Sequence, residues 1–228
     1  TLGHLDEAAI FASQRDTLNV QIHNAFFHAT DTTYATGSPL DMAYPLLVGA
    51  VPASLHSAVV QRIIASCYGR FNGHIAGGLV GTAIFTQWAI QQGQSQPEPS
   101  QLVYNMLKQH SYPGYLYMID NNATTTWEYW NGERSHVHNC YNGIGLWFYQ
   151  ALGGIRPTDD GVGYQRVIIA PQCPKEVTWA TTTRQTPYGL LRTEWRGSQL
   201  KAQIPVGVEA EVVWRGKRHI VGSGEWMF

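Results

Sequence analysis

The sequence of 228 residues predicts an α-then-β chain: a helical part over residues 1–154, then a small antiparallel β-sandwich over residues 155–228. Up to about residue 154, apolar residues recur at helical spacing; beyond residue 160 they fall into short alternating or β-branched runs. Between the two textures, GGIRPTDDGVG (153–163) holds Gly, Pro and Asp in loop proportions and predicts the domain boundary. Charge changes sign at the same place. Five Lys and Arg stand against nine Asp and Glu before residue 155, and ten against seven after it.

The first predicted helix covers residues 5–27, with Ala8, Phe11, Leu18, Ile22 and Phe26 on one stripe. A second, short helix covers 40–50, where Pro45 bends or interrupts it. Ser54 has the chemistry of an N-cap for 55–68, whose stripe is Val59, Val60, Ile63, Ile64 and Cys67. Residues 78–92 are apolar nearly all round, as in a helix packed on two sides. The Pro-Glu-Pro run at 97–99 starts a helix over 100–109, and 142–152 form the last one. Polar turns pair these helices. A toroid of helical hairpins and a plain bundle both fit that pattern, and no repeat of fixed length marks a solenoid.

The strand part reads VGYQRVIIAP, EVTWATTTR, GLLRTEWRG, QLKAQIPV, EAEVVWRG and RHIVGSGEW, with hairpin turns at Arg196–Gly197 and Arg215–Gly216. So many strands in so short a stretch predict a sandwich. Its mild basic excess reads as a solvated sheet face.

Composition excludes several classes of function. Charged residues are 14%, hydrophobic ones 44% and aromatic ones 12%, which is not the make-up of a disordered tail. A net charge of −1 gives no global basic field for nucleic acid. No apolar run approaches the length of a membrane-spanning helix. Cys67, Cys140 and Cys173 are odd in number and widely spaced, so they read as small hydrophobes, not as a disulfide framework or zinc site. No phosphate-binding glycine loop, dinucleotide fingerprint or serine nucleophile elbow appears, and nothing supports a cofactor. The chain opens at Thr1 directly in a helical pattern without a cap. This predicts that it continues a longer polypeptide, although a removed tag or a start left by proteolysis would look alike.

Chemistry is concentrated in residues 111–149, where Tyr112, Tyr115, Tyr117, Trp127, Tyr129, Trp130, Tyr141, Trp147 and Tyr149 surround Glu128, Glu133, His136 and His138. A carboxylate among indoles is poorly solvated, which tends to raise its pKa and suits it to proton transfer. Flat aromatic faces also stack on sugar rings. Two readings are open on these residues: a carbohydrate site built on Glu128, or an aromatic core with one buried, paired Glu. His136 and His138 form an HxH pair, but a metal would need Glu133 or Cys140 as third ligand, so no metal site is assigned. A neutral His donating to a sugar hydroxyl is the better reading.

At this point a family resemblance enters. YPGYLYMIDNNATTTWEYWNG resembles the segment "YPSWGYMLENGATTIWERWDG" of bacterial α-L-rhamnosidases of glycoside hydrolase family 78. SHVHNCYNGIGLWFYQALGGI is similar to that family's "SFNHYxFGSVGEWLYxxLAGI". Upstream, YATGSPLDMAYPLLVGAVPASL and HIAGGLVGT resemble "YGxGSQTANALALxLGLVPEEL" and "HLTTGFLGT". TPYGLLRTEW and the closing VGSGEWMF resemble the family's C-terminal β-domain. Nearly all of the chain is covered, in order.

The resemblance implies the later part of an (α/α)6 toroid followed by a C-terminal β-sandwich, in a bacterial enzyme that hydrolyses terminal α-L-rhamnosides with inversion. It places the general base on Glu128 and a sugar-binding His on His138. His136 is a weaker second choice for that contact, and Trp127, Tyr129 and Trp130 would shape and dry the pocket, with Trp127 and Trp130 as substrate contacts or equally as core residues. The family's general acid lies in an upstream "DCPxREExLGWTGD"-like segment with no counterpart in this sequence. Asp31, Asp41, Asp120 and Glu133 are the acids the chain offers, and none has the family context. Two further departures are Pro39-Leu40-Asp41 for Gln-Thr-Ala, and Val137-His138-Asn139 for Asn-His-Tyr.

These readings predict the C-terminal part of an inverting rhamnosidase, with an L-rhamnose-containing glycoside or oligosaccharide as substrate. The alternatives are a non-catalytic sugar-binding module, a structural remnant without a site, and a related hydrolase for another sugar. An incomplete toroid would leave apolar helix faces uncovered, which predicts an oligomer or pairing with the missing N-terminal half.

Overall fold

The computed structural model describes residues 3–228. Helices come first and sheets second, as the periodicity predicts. The order is α1 (Leu5–Phe26), a minimal hairpin of β1 (Phe27–His28) and β2 (Thr33–Tyr34), α2 (Pro39–Val48), α3 (His56–Gly69), α4 (Leu79–Gln92), α5 (Glu98–Leu107) and α6 (Tyr115–Asp120). Eight strands follow: β3 (Ile155–Pro157), β4 (Arg166–Ile169), β5 (Trp179–Thr186), β6 (Gly189–Arg196), β7 (Gln199–Ile204), β8 (Glu209–Trp214), β9 (Lys217–Val221) and β10 (Gly224–Met227).

Two compact units divide the chain: residues up to Trp88 with Asn105–Tyr141, and Ala89–Tyr104 with Asn142–Phe228. They do not follow chain order. Residues 89–104 and 142–154 belong to the helical texture in sequence and to the second unit by contact.

In the first unit α2 is framed by its ends. The Ser38 hydroxyl accepts the Asp41 N–H at 3.1 Å, and Gly49 closes the helix in the left-handed region at φ 80°. Pro45 lies inside α2 without breaking it, one turn before that end. The predicted cap on α3 is different. Ser54 lies in a 3₁₀ turn over Ala53–Leu55 that runs directly into α3, so no side chain caps the helix. Val59, Val60, Ile63 and Cys67 are the buried stripe of α3, with Ile64 at its margin. α1 is the exception to packing: none of its residues is buried, and Leu5, Ile10, Phe11, Leu18, Val20 and Phe26 are exposed.

The second unit holds the sandwich. One sheet has the order β10-β7-β6-β5 and is antiparallel throughout; the other has the order β3-β4-β8-β9, in which β4 and β8 run parallel. That parallel pair departs from the all-antiparallel expectation. β3, which pairs antiparallel with β4, forms inside the stretch predicted to be the boundary loop. Ile155, Val167, Ile169, Leu191, Trp195, Leu200, Ala210 and Val212 form the core between the sheets. The last helical stretch is not a regular helix: a 3₁₀ segment over Asn139–Ile144 leads to a π-helical turn over Trp147–Leu152. Its end is tied to the sandwich, where the Thr193 hydroxyl donates to Gly153 O at 2.8 Å and Trp195 Nε1 donates to Leu152 O at 2.8 Å.

Candidate active site

The segment between α6 and the 3₁₀ turn at Asn139 is a folded-back loop, and its own hydrogen bonds shape it. Glu128 N–H donates to Ser135 O at 2.8 Å, and His138 N–H donates to Thr126 O at 2.9 Å. Two threonine hydroxyls grip the returning arm: Thr125 Oγ1 donates to His136 O, and Thr126 Oγ1 to His138 O at 2.5 Å. The tip turns at Gly132, in the left-handed region at φ 81°, after Gly132 N–H donates to Tyr129 O at 3.1 Å. Thr125 and Thr126 thus have a mechanical role that sequence reasoning missed: they fix both arms of the loop that carries Glu128 and the two histidines.

An aromatic cluster backs this loop. Trp127 and Trp130 are buried with Ile75, Met118 and Tyr141. Trp130 stacks on Tyr141, with ring centroids 3.9 Å apart, and meets the edge of Tyr115 at 5.2 Å. Tyr115 in turn donates its hydroxyl to Tyr141 O at 2.7 Å, and burial raises its pKa above the ordinary tyrosine range. Trp130 Nε1 reaches Gly77 O at 3.4 Å, so the loop before α4 joins the same wall. The structure places Trp127 and Trp130 in this core, with one ring face each taken by a neighbour, His136 and Tyr141 respectively. Tyr129 between them is exposed.

Glu128 sits where the wall meets solvent, its side chain 22% exposed. Ser135 N–H donates to Oε2 at 3.3 Å while Glu128 N–H donates to Ser135 O, so residue 135 holds both the backbone of Glu128 and the direction of its carboxylate. Arg134, also unnoticed in the sequence, lies 3.8 Å from Oε1 and over the Tyr129 ring at 5.2 Å. Its guanidinium is largely exposed, so water screens the pair and its energetic contribution is small.

The two histidines are used differently. His136 Nε2 donates to Gly132 O at 2.7 Å while its ring stacks on Trp127, so it straps the loop tip to the wall. His138 is half-buried, and its Nδ1 accepts the Cys140 N–H at 3.2 Å. That fixes the neutral tautomer with the proton on Nε2, leaving an N–H to donate outward. Among the described residues no three His, Cys, Asp or Glu side chains gather as a metal site.

Three of the other candidate carboxylates are bonded elsewhere, and the fourth is exposed. Asp31 accepts the Thr33 hydroxyl at 2.7 Å, which holds its carboxyl below the usual range and away from the protonated form an acid needs. Asp41 accepts the Thr36 hydroxyl and N–H. Asp120 pairs with His110 at 2.7 Å, and Glu133 lies exposed at the loop tip.

Helical hairpins that present a carboxylate on an aromatic wall, followed by a β-sandwich, define a chain of the six-hairpin glycosidase class. Residues 1–152 match the bacterial alpha-L-rhamnosidase 6 hairpin glycosidase domain, and residues 154–225 match the bacterial alpha-L-rhamnosidase C-terminal domain. The chain belongs to the bacterial α-L-rhamnosidase family.

Individual relatives agree. The chain is 28% identical to an alpha-L-rhamnosidase of Alteromonas sp. (strain LOR), with 93% of this chain and 24% of that protein covered. It is 27% identical to one from Formosa agariphila, over 92% of this chain and 24% of the relative. The native rhamnosidase structure from Aspergillus terreus superposes with a TM-score of 0.88 at 26% identity, covering all of this chain and 28% of that one. The Streptomyces avermitilis alpha-L-rhamnosidase complexed with L-rhamnose shares the fold, with a TM-score of 0.86 at 24% identity over 96% of this chain and 24% of that one. The chain therefore spans about a quarter of the length of these relatives.

Proposed function

We propose that this chain supplies the water-activating wall of an inverting α-L-rhamnoside hydrolase. Glu128 acts as general base: it takes a proton from a water, whose oxygen attacks the anomeric carbon as the bond to the leaving oxygen breaks. The proton for the leaving oxygen comes from an acid outside these residues, on the opposite face of the ring, about 6.5–9.5 Å from the base. His138 Nε2–H orients a sugar hydroxyl, and His136 is the lesser contact. Trp127 and Trp130 shape the pocket from behind, and Tyr129 lines it. The single observation that supports this most is the loop that holds Glu128 at the solvent edge of an aromatic wall, its carboxylate fixed by Ser135 N–H.

The test is hydrolysis of an aryl α-L-rhamnoside by the full-length polypeptide and its Glu128→Gln variant. Turnover should fall about 10²–10⁴-fold, the range for general acid–base catalysis. Unchanged turnover removes Glu128 from the mechanism. Loss of turnover in both proteins with rhamnose binding intact would favour the non-catalytic sugar-binding reading.

We further propose that α1 is covered in the working protein by further helices of the same domain. Its exposed apolar residues and the relatives' fourfold greater length support this.

A further inference from the structure

We infer that Ser111 and His74 form a second polar contact of the sugar site, in which Ser111 Oγ accepts a hydrogen bond from a substrate hydroxyl and His74 fixes its direction. This rests on the reading of the Glu128 loop as a glycoside site.

The tautomer of His74 follows from its partners. Nδ1 lies 3.2 Å from Phe71 O and 3.1 Å from Asn72 O, and carbonyls only accept, so Nδ1 carries the proton. In the neutral ring Nε2 is then an acceptor, and the Ser111 hydroxyl donates to it at 2.7 Å. The serine's single hydrogen is committed to His74. Its oxygen keeps lone pairs with which to accept, and the residue is exposed. An acceptor fixed in this way suits a donor O–H, the group a sugar offers in number.

Both residues lie on segments that build the wall behind Glu128. His74 precedes Ile75, which is buried against Trp127 and Trp130, and Gly77 of the same loop accepts Trp130 Nε1. Ser111 is followed by a cis Tyr112–Pro113 bond and by Gly114, where a Cβ would come within 2.9 Å of Gln109 O. Tyr115, next in the chain, packs its ring edge on Trp130. The pair is not a nucleophile and its base. Nδ1 is bonded to the Phe71 and Asn72 carbonyls, not to the carboxylate that orients the base of a catalytic triad. Ser111 is therefore a binding residue and His74 a positioning residue.

The test is steady-state kinetics on an aryl α-L-rhamnoside with the full-length polypeptide and its Ser111→Ala, Ser111→Thr, His74→Ala and doubly alanine-substituted variants, beside Glu128→Gln. Ser111→Ala and His74→Ala should each raise KM by about 3–10-fold with a smaller change in kcat, the scale of one lost hydrogen bond. The double variant should be little worse than either single one, and Ser111→Thr should restore most of the loss. Unchanged KM in Ser111→Ala, or a Ser111→Thr variant as impaired as Ser111→Ala, overturns the inference and leaves Glu128 untouched. Full turnover in Glu128→Gln instead brings down the reading on which it rests.

Discussion

The His136 ring lies parallel to the Trp127 indole, centroids 4.9 Å apart and planes 23° apart, while its Nε2 donates to Gly132 O at 2.7 Å. One histidine thus joins the tip of the loop to the buried wall behind it. His136→Ala removes a hydrogen bond and a stacking contact from a solvent-exposed position. We expect a loss of about 1 kcal/mol in urea unfolding, with the fold retained. His138→Ala should behave in the opposite manner, weakening rhamnose binding with little change in unfolding midpoint.

Gly132 faces the same indole from the other side of the turn. Its φ of 81° disfavours an L side chain, and a Cβ there would lie 3.1 Å from Trp127 Cζ3. Gly132→Ala should therefore cost about 1–2 kcal/mol. Gly216, at φ 78° with nothing within 4 Å of a Cβ, is the control: its alanine variant should show the conformational part of that loss alone.

Burial pushes the Tyr34 and Tyr141 hydroxyls up to about 12. An unfolded chain loses these protons near the ordinary tyrosine value of about 10, so the folded state binds more protons between the two. The stability gained from keeping them neutral is complete below pH 10 and is lost as pH rises from 10 towards 12. Absorbance at 295 nm should show late-titrating tyrosines in the native protein, Tyr34 and Tyr141 towards pH 12 and Tyr115, raised further, later still. Unfolding midpoints should fall across the same window, and a single tyrosine step near 10 would refute this.

Much of this fold is legible in the sequence, and the misses have definite physical causes. The stripe Val59, Val60, Ile63 and Cys67 reads directly as a buried face because helical periodicity and burial coincide. β3 is invisible because Ile155–Pro157 is three residues long and carries a proline, which an edge strand tolerates. α6 is too short to show a period, and the turns over 139–152 change pitch instead of repeating one. The parallel pairing of β4 with β8 is a matter of topology that no local pattern encodes. At the site, the aromatic density of 111–149 points to the wall. It leaves Trp127 and Trp130 open between core and pocket, and the structure buries both while Tyr129 faces out. The aromatic density does not show that His74, thirty-seven residues upstream of Ser111, bonds to it.

The final prediction concerns α1. No side chain of this 22-residue helix is fully buried, its polar ties to other elements run from Asn19 to Val48 O and from His23 to the Tyr34 hydroxyl, and exposed Phe11, Leu18 and Phe26 lie on its predicted stripe. Such a surface favours association. Alone, the 228-residue chain should show concentration-dependent self-association in light scattering, and Phe11→Glu with Leu18→Lys should reduce it. Because both residues are exposed, the double variant should keep the unfolding midpoint of the sandwich. The full-length polypeptide, with the face covered, should scatter as a discrete species whose stability those two substitutions lower. A monodisperse 228-residue monomer would show instead that α1 needs no cover, and equal stability of the full-length variant would show that nothing docks on this face.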